Sequence, residues 1–303
     1  MKKFLLFFAG LLLAFIIINF LYLLILPKVD WDFGKTKEAH NFNNQQLKVL
    51  VFGNSTAMDG VNTEMISNSI GPAYNFSVGG ASLETNFLQF KKYLPNNQKP
   101  AMVLLFLSSS HVNYFNKFEL NPIIEYYYAD SLRIDGLKNI PLFRFRWSFV
   151  ENIKKFISPR HRSATVIKGQ LRIISVIPDN SLRNVNSQDS CNHNYNNTGY
   201  QYMWKMAALC KEKGILFKVF EMPCWKAYQN DCPDKKLTNM GDIFQDDISL
   251  FNINNLSICD TLLDPETDWL SKNHLNYNGS IKVTGEIIRR LLISTLPVKV
   301  NTK

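Results

Sequence analysis

The sequence predicts an α/β fold: a three-layer α/β/α domain around a mainly parallel sheet, preceded by one N-terminal transmembrane helix. Two observations carry this prediction. Short, continuously apolar runs alternate with amphipathic helical stretches, the pattern of strands buried on both faces. One segment alone, Phe4 to Leu26, is long and apolar enough to span a bilayer. Composition agrees: of 303 residues 46% are hydrophobic and 19% charged, too apolar for a disordered chain. A mean hydropathy of −0.12 speaks against a polytopic transporter.

The order begins with the anchor. Phe4 to Leu26 holds one strongly polar residue, Asn19. At 1.5 Å per residue it reaches about 34 Å, enough for a hydrocarbon core of about 30 Å. Lys2 and Lys3 precede it and hold that end in the cytoplasm, so the remainder faces outward across the cytoplasmic (inner) membrane. Tyr22, Trp31 and Phe33 mark the far interface. The run exceeds a signal-peptide h-region and no A-x-A-like site follows, which favours an uncleaved anchor over a cleaved signal. Residues 1–27 are thus tip and anchor, 28–46 a polar, irregular stalk, and 47–303 the outer domain.

Within that domain Lys48 to Gly53 reads as a buried strand, Thr63 to Ile70 as a helix, and Ala73 to Phe76 as a second strand. Ser82 to Leu94 is an amphipathic helix with Leu83, Phe87, Leu88 and Phe90 as its apolar face and Ser82 as cap. Met102 to Leu107 is a third strand. Residues 111–190 break the rhythm. They are rich in aromatic and basic residues, including Tyr126, Tyr127, Tyr128, Phe143, Trp147, Arg144, Arg146, Arg160 and Arg162, and read as a helical insertion over one end of the sheet. The alternation resumes with a helix over Asn197 to Lys213 stopped by Gly214, a strand over Ile215 to Phe220, and a closing helix over Ser280 to Leu292. The frequent asparagines read as compositional.

The net charge of +9 is dispersed, and zinc-finger spacing, RNA-binding aromatic signatures and long basic helices are absent, so no nucleic-acid partner is expected. The five cysteines, Cys191, Cys210, Cys224, Cys232 and Cys259, form no C-x-x-C pair; neither metal nor other cofactor is expected. Cys224 and Cys232 are near enough to close a short loop in an oxidising compartment, and small buried thiols account for them equally well.

Three segments carry candidate chemistry. In open parallel sheets ligands bind beyond the carboxyl ends of the strands. The first strand runs into Gly53-Asn54-Ser55, which places Ser55 at a helix start with an exposed hydroxyl and an outward backbone N–H. On this segment alone a capping serine is the plainer account. The second runs into Asn75-Phe76-Ser77-Val78-Gly79-Gly80, where paired glycines free backbone N–H groups. Near the C-terminus, Asp264 and Asp268 precede Asn273-His274-Leu275-Asn276-Tyr277-Asn278-Gly279, a histidine on a loop before a terminal helix, suited to general-base work.

Together these segments resemble, in order, the blocks of the SGNH (GDSL-like) hydrolase superfamily. Gly53-Asn54-Ser55 is similar to G-D-S with Asn for Asp. Asn75 and Gly80 resemble the second block, with Ser77 where Gly is common. His274-Leu275-Asn276-x-x-Gly279 resembles the last block of membrane-anchored bacterial relatives, such as polysaccharide O-acetylation and D-alanyl transfer proteins. The resemblance implies the flavodoxin-like SGNH fold, Ser55 as nucleophile, His274 as base, and an oxyanion hole from the N–H groups of Ser55 and Gly80. Two departures stand out. Ser271 occupies the position of the family's Asp three before the His, so either Asp268, or alternatively Asp264, serves, or the His has no carboxylate partner. The third block, G-x-N-D, is replaced by Leu107-Ser108-Ser109-Ser110-His111-Val112-Asn113, leaving one of these serines, such as Ser108, or Asn113 as third donor, or none. The implied activity is an esterase or O-acyltransferase acting through an acyl-serine on acylated surface polysaccharide or envelope glycan, beside a membrane-bound O-acyltransferase. The alternative is a catalytically inactive accessory module that binds polysaccharide or docks such an acyltransferase.

Overall fold

The computed structural model describes residues 1–108, 122–128, 140–158, 164–176, 200–225, 250–252, 256–271 and 273–295. The helices in chain order are α1 (Lys2–Val29), α2 (Trp31–His40), α3 (Ser55–Gly60), α4 (Thr63–Ser69), α5 (Leu83–Tyr93), α6 (Pro122–Tyr128), α7 (Pro141–Arg144), α8 (Phe149–Ile157), α9 (Tyr200–Lys213), α10 (Leu256–Leu262) and α11 (Tyr277–Thr295). The strands are β1 (Val49–Phe52), β2 (Ala73–Asn75), β3 (Met102–Leu107), β4 (Ala164–Ile167), β5 (Gln170–Ile173), β6 (Leu216–Glu221), β7 (Leu250–Asn252), β8 (Trp269–Ser271) and β9 (His274–Leu275). Two compact units result: Met1–Asn41 with Glu119–Arg162, and Phe42–Phe118 with Ser163–Lys303.

In the first unit α1 is long and apolar enough to cross a membrane. The expected irregular stalk is instead helical over Trp31–His40. Asp30 starts that helix by accepting the Phe33 N–H at 2.9 Å, and Phe33 anchors it in a cluster with Tyr22, Leu26, Ile123 and Phe145. One buried aromatic and a good cap outweigh the polar composition on which the irregular reading rested. The unit thus joins the N-terminal helices to α6, α7 and α8, which the sequence assigned to an insertion in the outer domain.

In the second unit the sheet is parallel throughout, in the order β2-β1-β3-β6-β7. β1 and β3 are fully buried along their length, which is why their sequences show no polar alternation. Val49, Val51, Leu104 and Phe106 share a core with Val283, Ile287 and Leu291 of α11. From the opposite face Phe52 packs on Phe90 of α5 at 5.8 Å between centroids. On α5, however, Phe87 and Leu88 are only partly buried; Asn86 and Gln89 take the inward positions beside Leu83 and Phe90.

The helical reading of 111–190 fails at β4 and β5, an antiparallel hairpin. Lys168 and Gly169 form its turn with φ of 48° and 78°, the double left-handed conformation that matches hairpin twist. β7 and α10 went unassigned in the sequence. Arg160, Arg162, Cys191 and Cys232 lie outside the described residues.

Candidate functional site

From β1 the chain crosses to β2 on one side, and from β3 to β6 on the other. The crevice between the carboxyl ends of β1 and β3 is therefore the switch point, where open sheets bind ligands. Gly53 ends β1 there. A Cβ on it would lie 2.5 Å from the Ala57 Cβ and 3.0 Å from the Phe106 carbonyl, so only glycine fits. Asn54 then starts α3: its Oδ1 accepts from the Thr56 N–H at 3.0 Å and the Thr56 hydroxyl at 2.7 Å. Its Nδ2 donates to Ser108 Oγ at 2.8 Å, just beyond β3, so one amide spans the crevice. Ser108 thus holds Asn54. Ser55 is the first residue of α3, with its N–H at the open end of the helix.

His274 reaches this point from the far end of the chain. β8 and β9 form a short antiparallel ribbon in which Ser271 pairs with His274. The pairing puts Ser271 Oγ 2.8 Å from His274 Nδ1, and Asn273 Oδ1 also lies 2.8 Å from that nitrogen. On the other side of the ring Nε2 lies 2.9 Å from Ser55 Oγ. One tautomer satisfies every partner: Nδ1–H donates to Ser271 and Asn273, Ser271 donates onward to Asn273 Oδ1 at 3.1 Å, and Ser55 donates to Nε2. Burial lowers the His274 pKa below its ordinary 6.5, which keeps the ring neutral and able to accept a proton.

Asp268 and Asp264 do not orient His274, contrary to expectation. Asp268 is buried, with Oδ2 taken by Lys282 Nζ and the Asp264 N–H, both at 2.6 Å, and Oδ1 by the Thr267 hydroxyl at 3.3 Å. Asp264 is exposed and accepts the Glu266 N–H at 2.8 Å. The ribbon's pairing decides the matter: only residue 271 is opposite His274, and there the chain carries a hydroxyl. Ser271 and Asn273 are thus site residues not expected from the sequence; the three-residue spacing before His274 was the signal for Ser271, and Asn273 carried none.

Buried amides hold the rim. Asn75 donates to the Ala57 carbonyl of α3 at 2.9 Å and accepts the Ser77 N–H at 2.9 Å. Asn86 donates to the Gly53 carbonyl at 3.1 Å, and Gln89 to the Phe76 carbonyl at 3.0 Å. Gly80, at φ 66°, has open space where a Cβ would stand. Asn113 lies outside the described residues. Among the described residues no group of three or more His, Cys, Asp or Glu is placed to hold a metal ion.

The arrangement delivers a serine hydroxyl hydrogen-bonded to a neutral imidazole at the edge of a parallel sheet. Such a pair can transfer a proton to the ring as the oxygen attacks an electrophile.

No family model and no curated protein matches the chain. Solved structures similar to it include a protein described as a platelet activating factor from Streptococcus pneumonia, at 8% identity and TM-score 0.45, covering 91% of this chain and 98% of that one. A protein described as a lipolytic protein of the G-D-S-L family from Desulfitobacterium hafniense is similar at 13% identity and TM-score 0.38, over 80% and 99% of the two chains. A GDSL-like lipase from Bacteroides thetaiotaomicron is similar at 11% identity and TM-score 0.37, over 85% and 95%.

Proposed function

We propose that the chain is a membrane-anchored serine esterase or O-acyltransferase of SGNH type, acting on acyl groups of surface polysaccharide or envelope glycan. The observation that carries the reading is the 2.9 Å contact between Ser55 Oγ and His274 Nε2, two residues 219 positions apart. Ser55 Oγ attacks the ester carbonyl while its proton passes to Nε2. The resulting oxyanion takes hydrogen bonds from the N–H groups of Ser55 and Gly80. The carbonyl re-forms, the alcohol leaves with the proton from Nε2, and an acyl-serine remains. Water or a sugar hydroxyl then attacks, again losing its proton to Nε2, and Ser55 is restored. α1 is read as the anchor, with Lys2 and Lys3 in the cytoplasm and the domain outside, beside a membrane-bound O-acyltransferase that handles the same acyl group.

A second reading, an inactive module that binds glycan or docks the acyltransferase, draws on the neutral partners of His274. Labelling of the detergent-purified chain with a fluorophosphonate separates the two. Labelling abolished by Ser55→Ala and sharply slowed by His274→Ala is expected of the enzyme. A folded chain that takes no label is the result for the module.

A further inference from the structure

Two stripes run side by side along α8. Phe149, Asn152 and Phe156 face α1. The Phe149 ring meets Tyr22 edge-on at 4.9 Å, Asn152 Nδ2 donates to the Tyr22 hydroxyl at 3.1 Å, and Lys28 Nζ lies 5.9 Å from the Phe156 ring. The adjacent stripe is Val150, Ile153 and Ile157. Val150 and Ile157 are 62% and 75% exposed, and Trp147, one turn earlier, is 87% exposed. The apolar arc of this helix is therefore wider than α1 covers. A contiguous exposed patch of this kind marks a binding surface.

Its level along α1 identifies the occupant. Phe143 packs on Phe15 at 5.9 Å between centroids, Leu142 donates its N–H to Asn19 Oδ1 at 3.1 Å, and contacts continue through Tyr22 to Lys28. Phe15 to Lys28 is the outward half of α1, about 20 Å of helix at 1.5 Å per residue. Asn19, the polar residue of the span, is bonded at both polar atoms: its Nδ2 donates to the Phe15 carbonyl at 2.9 Å while Oδ1 takes an open amide at the start of α7. Polar backbone beside a membrane span is tolerated when it is satisfied in this way. Cations rim the patch. The Arg146 guanidinium lies 5.0 Å from the Trp147 ring and donates to the Phe143 carbonyl at 2.8 Å, and Lys154 is exposed on the neighbouring turn. Aromatic residues with flanking cations are the composition of a helix lying in a lipid interface.

We propose that Pro141–Ile157 is embedded in the outer leaflet of the bilayer that α1 crosses, rising beside the outward half of α1 from the level of Phe15 to the headgroup boundary at Lys28, with Phe143, Trp147, Val150 and Ile157 toward lipid tails and Lys154 toward anionic headgroups. The proposal rests on the reading of α1 as an anchor. The full chain is reconstituted into phosphatidylcholine–phosphatidylglycerol vesicles and washed with alkaline carbonate. Trp147 emission is taken as the difference between wild type and Trp147→Phe, an exposed site where the change is tolerated. Brominated acyl chains are expected to quench that component at least about twofold more than acrylamide does. Val150→Asn with Ile157→Asn is expected to reverse that preference. Quenching by acrylamide alone places the segment in water and overturns the proposal. Quenching by neither agent means that protein covers the patch and overturns it equally. In both cases retention in the vesicles leaves the anchor reading standing, whereas release by carbonate overturns both.

Discussion

Ser271→Asp places a carboxylate at the nitrogen that now meets only neutral partners. In the wild type Ser271 Oγ and Asn273 Oδ1 each lie 2.8 Å from His274 Nδ1, so the imidazolium formed during attack is stabilised by dipoles alone. An opposite charge in hydrogen-bond contact moves a pKa by roughly 1 to 3, or about 1.4 to 4 kcal/mol. Ser271 is half-buried, and the new carboxylate loses some hydration and faces the Asn273 oxygen, so the lower half of that range applies. The expected gain in kcat/KM is about 10-fold to 10²-fold. The pH profile carries a sign. Burial holds the His274 pKa below 6.5, so the wild-type acid limb falls below that value, and the variant's limb moves upward. Stability follows the same linkage. A depressed histidine pKa contributes stability above 6.5 that is lost as pH falls through the lower folded value; the carboxylate weakens or reverses this loss. The assay is hydrolysis of p-nitrophenyl acetate from about pH 4 to 9, read as kcat/KM. A wild-type acid limb above 6.5, or one that Ser271→Asp leaves in place, refutes the reasoning.

Asp268→Asn should leave the acid limb unmoved but cost about 1 to 2 kcal/mol in thermal unfolding, since it strands Lys282, whose side chain is 40% exposed and so partly screened. Asp264→Asn, at an exposed carboxylate, should stay within about 0.5 kcal/mol on the same measurement and also leave the limb in place. Asn54→Ala removes both the cap of α3 and the tie to Ser108; a loss of about 1 to 2 kcal/mol in denaturant unfolding is expected, together with slower fluorophosphonate labelling of Ser55.

The central strands β1 and β3 were legible because burial on both faces leaves a continuous apolar run, as in Met102–Leu107, whereas β7 at the sheet's end was not. The last block was legible in detail, and each of its residues now has a physical cause. His274 meets Ser55, Leu275 enters the core, and Asn276 Oδ1 caps α11 by accepting the Gly279 N–H at 3.1 Å. Gly279 passes too close to the Asp268 carbonyl to carry a side chain. Three things hid from sequence. The acid was sought by residue type, while the ribbon register fixes the partner by position and leaves a serine there. The asparagines read as compositional because nothing local distinguishes a buried amide from a solvated one. Asn86 and Gln89 satisfy carbonyls of Gly53 and Phe76, many residues away, and only the folded sheet brings these together. The hairpin β4–β5 hid behind a Lys-Gly turn, weaker as a signal than Asn-Gly.

That hairpin bears on how the two ends of the chain hold a 2.9 Å contact. Gln170, fully buried on β5, donates through Nε2 to Ser280 Oγ of α11 at 3.1 Å and, at the longer distance of 3.4 Å, to the Asp59 carbonyl of α3. Its Oδ-equivalent, Oε1, accepts from Arg172 Nε at 3.3 Å, and Arg172 pairs with Glu64 of α4 at 2.8 Å. α3 carries Ser55 and α11 follows His274, so one amide sits between the helix of the hydroxyl and the helix behind the imidazole. A second tie runs to α11 from the N–H of Asn62, the cap of α4, which reaches Thr284 Oγ1 at 2.8 Å. Gln170→Leu keeps the volume and removes the bridge, leaving a buried carbonyl less satisfied at a cost of about 1 to 3 kcal/mol. If the bridge positions the pair, kcat for p-nitrophenyl acetate should fall by about 10-fold or more with KM little changed, because a small misplacement of reacting groups acts on the barrier and not on binding. A lower melting temperature with unchanged kcat would show that the hairpin supports the fold alone and that the ribbon sets the Ser55–His274 distance without it.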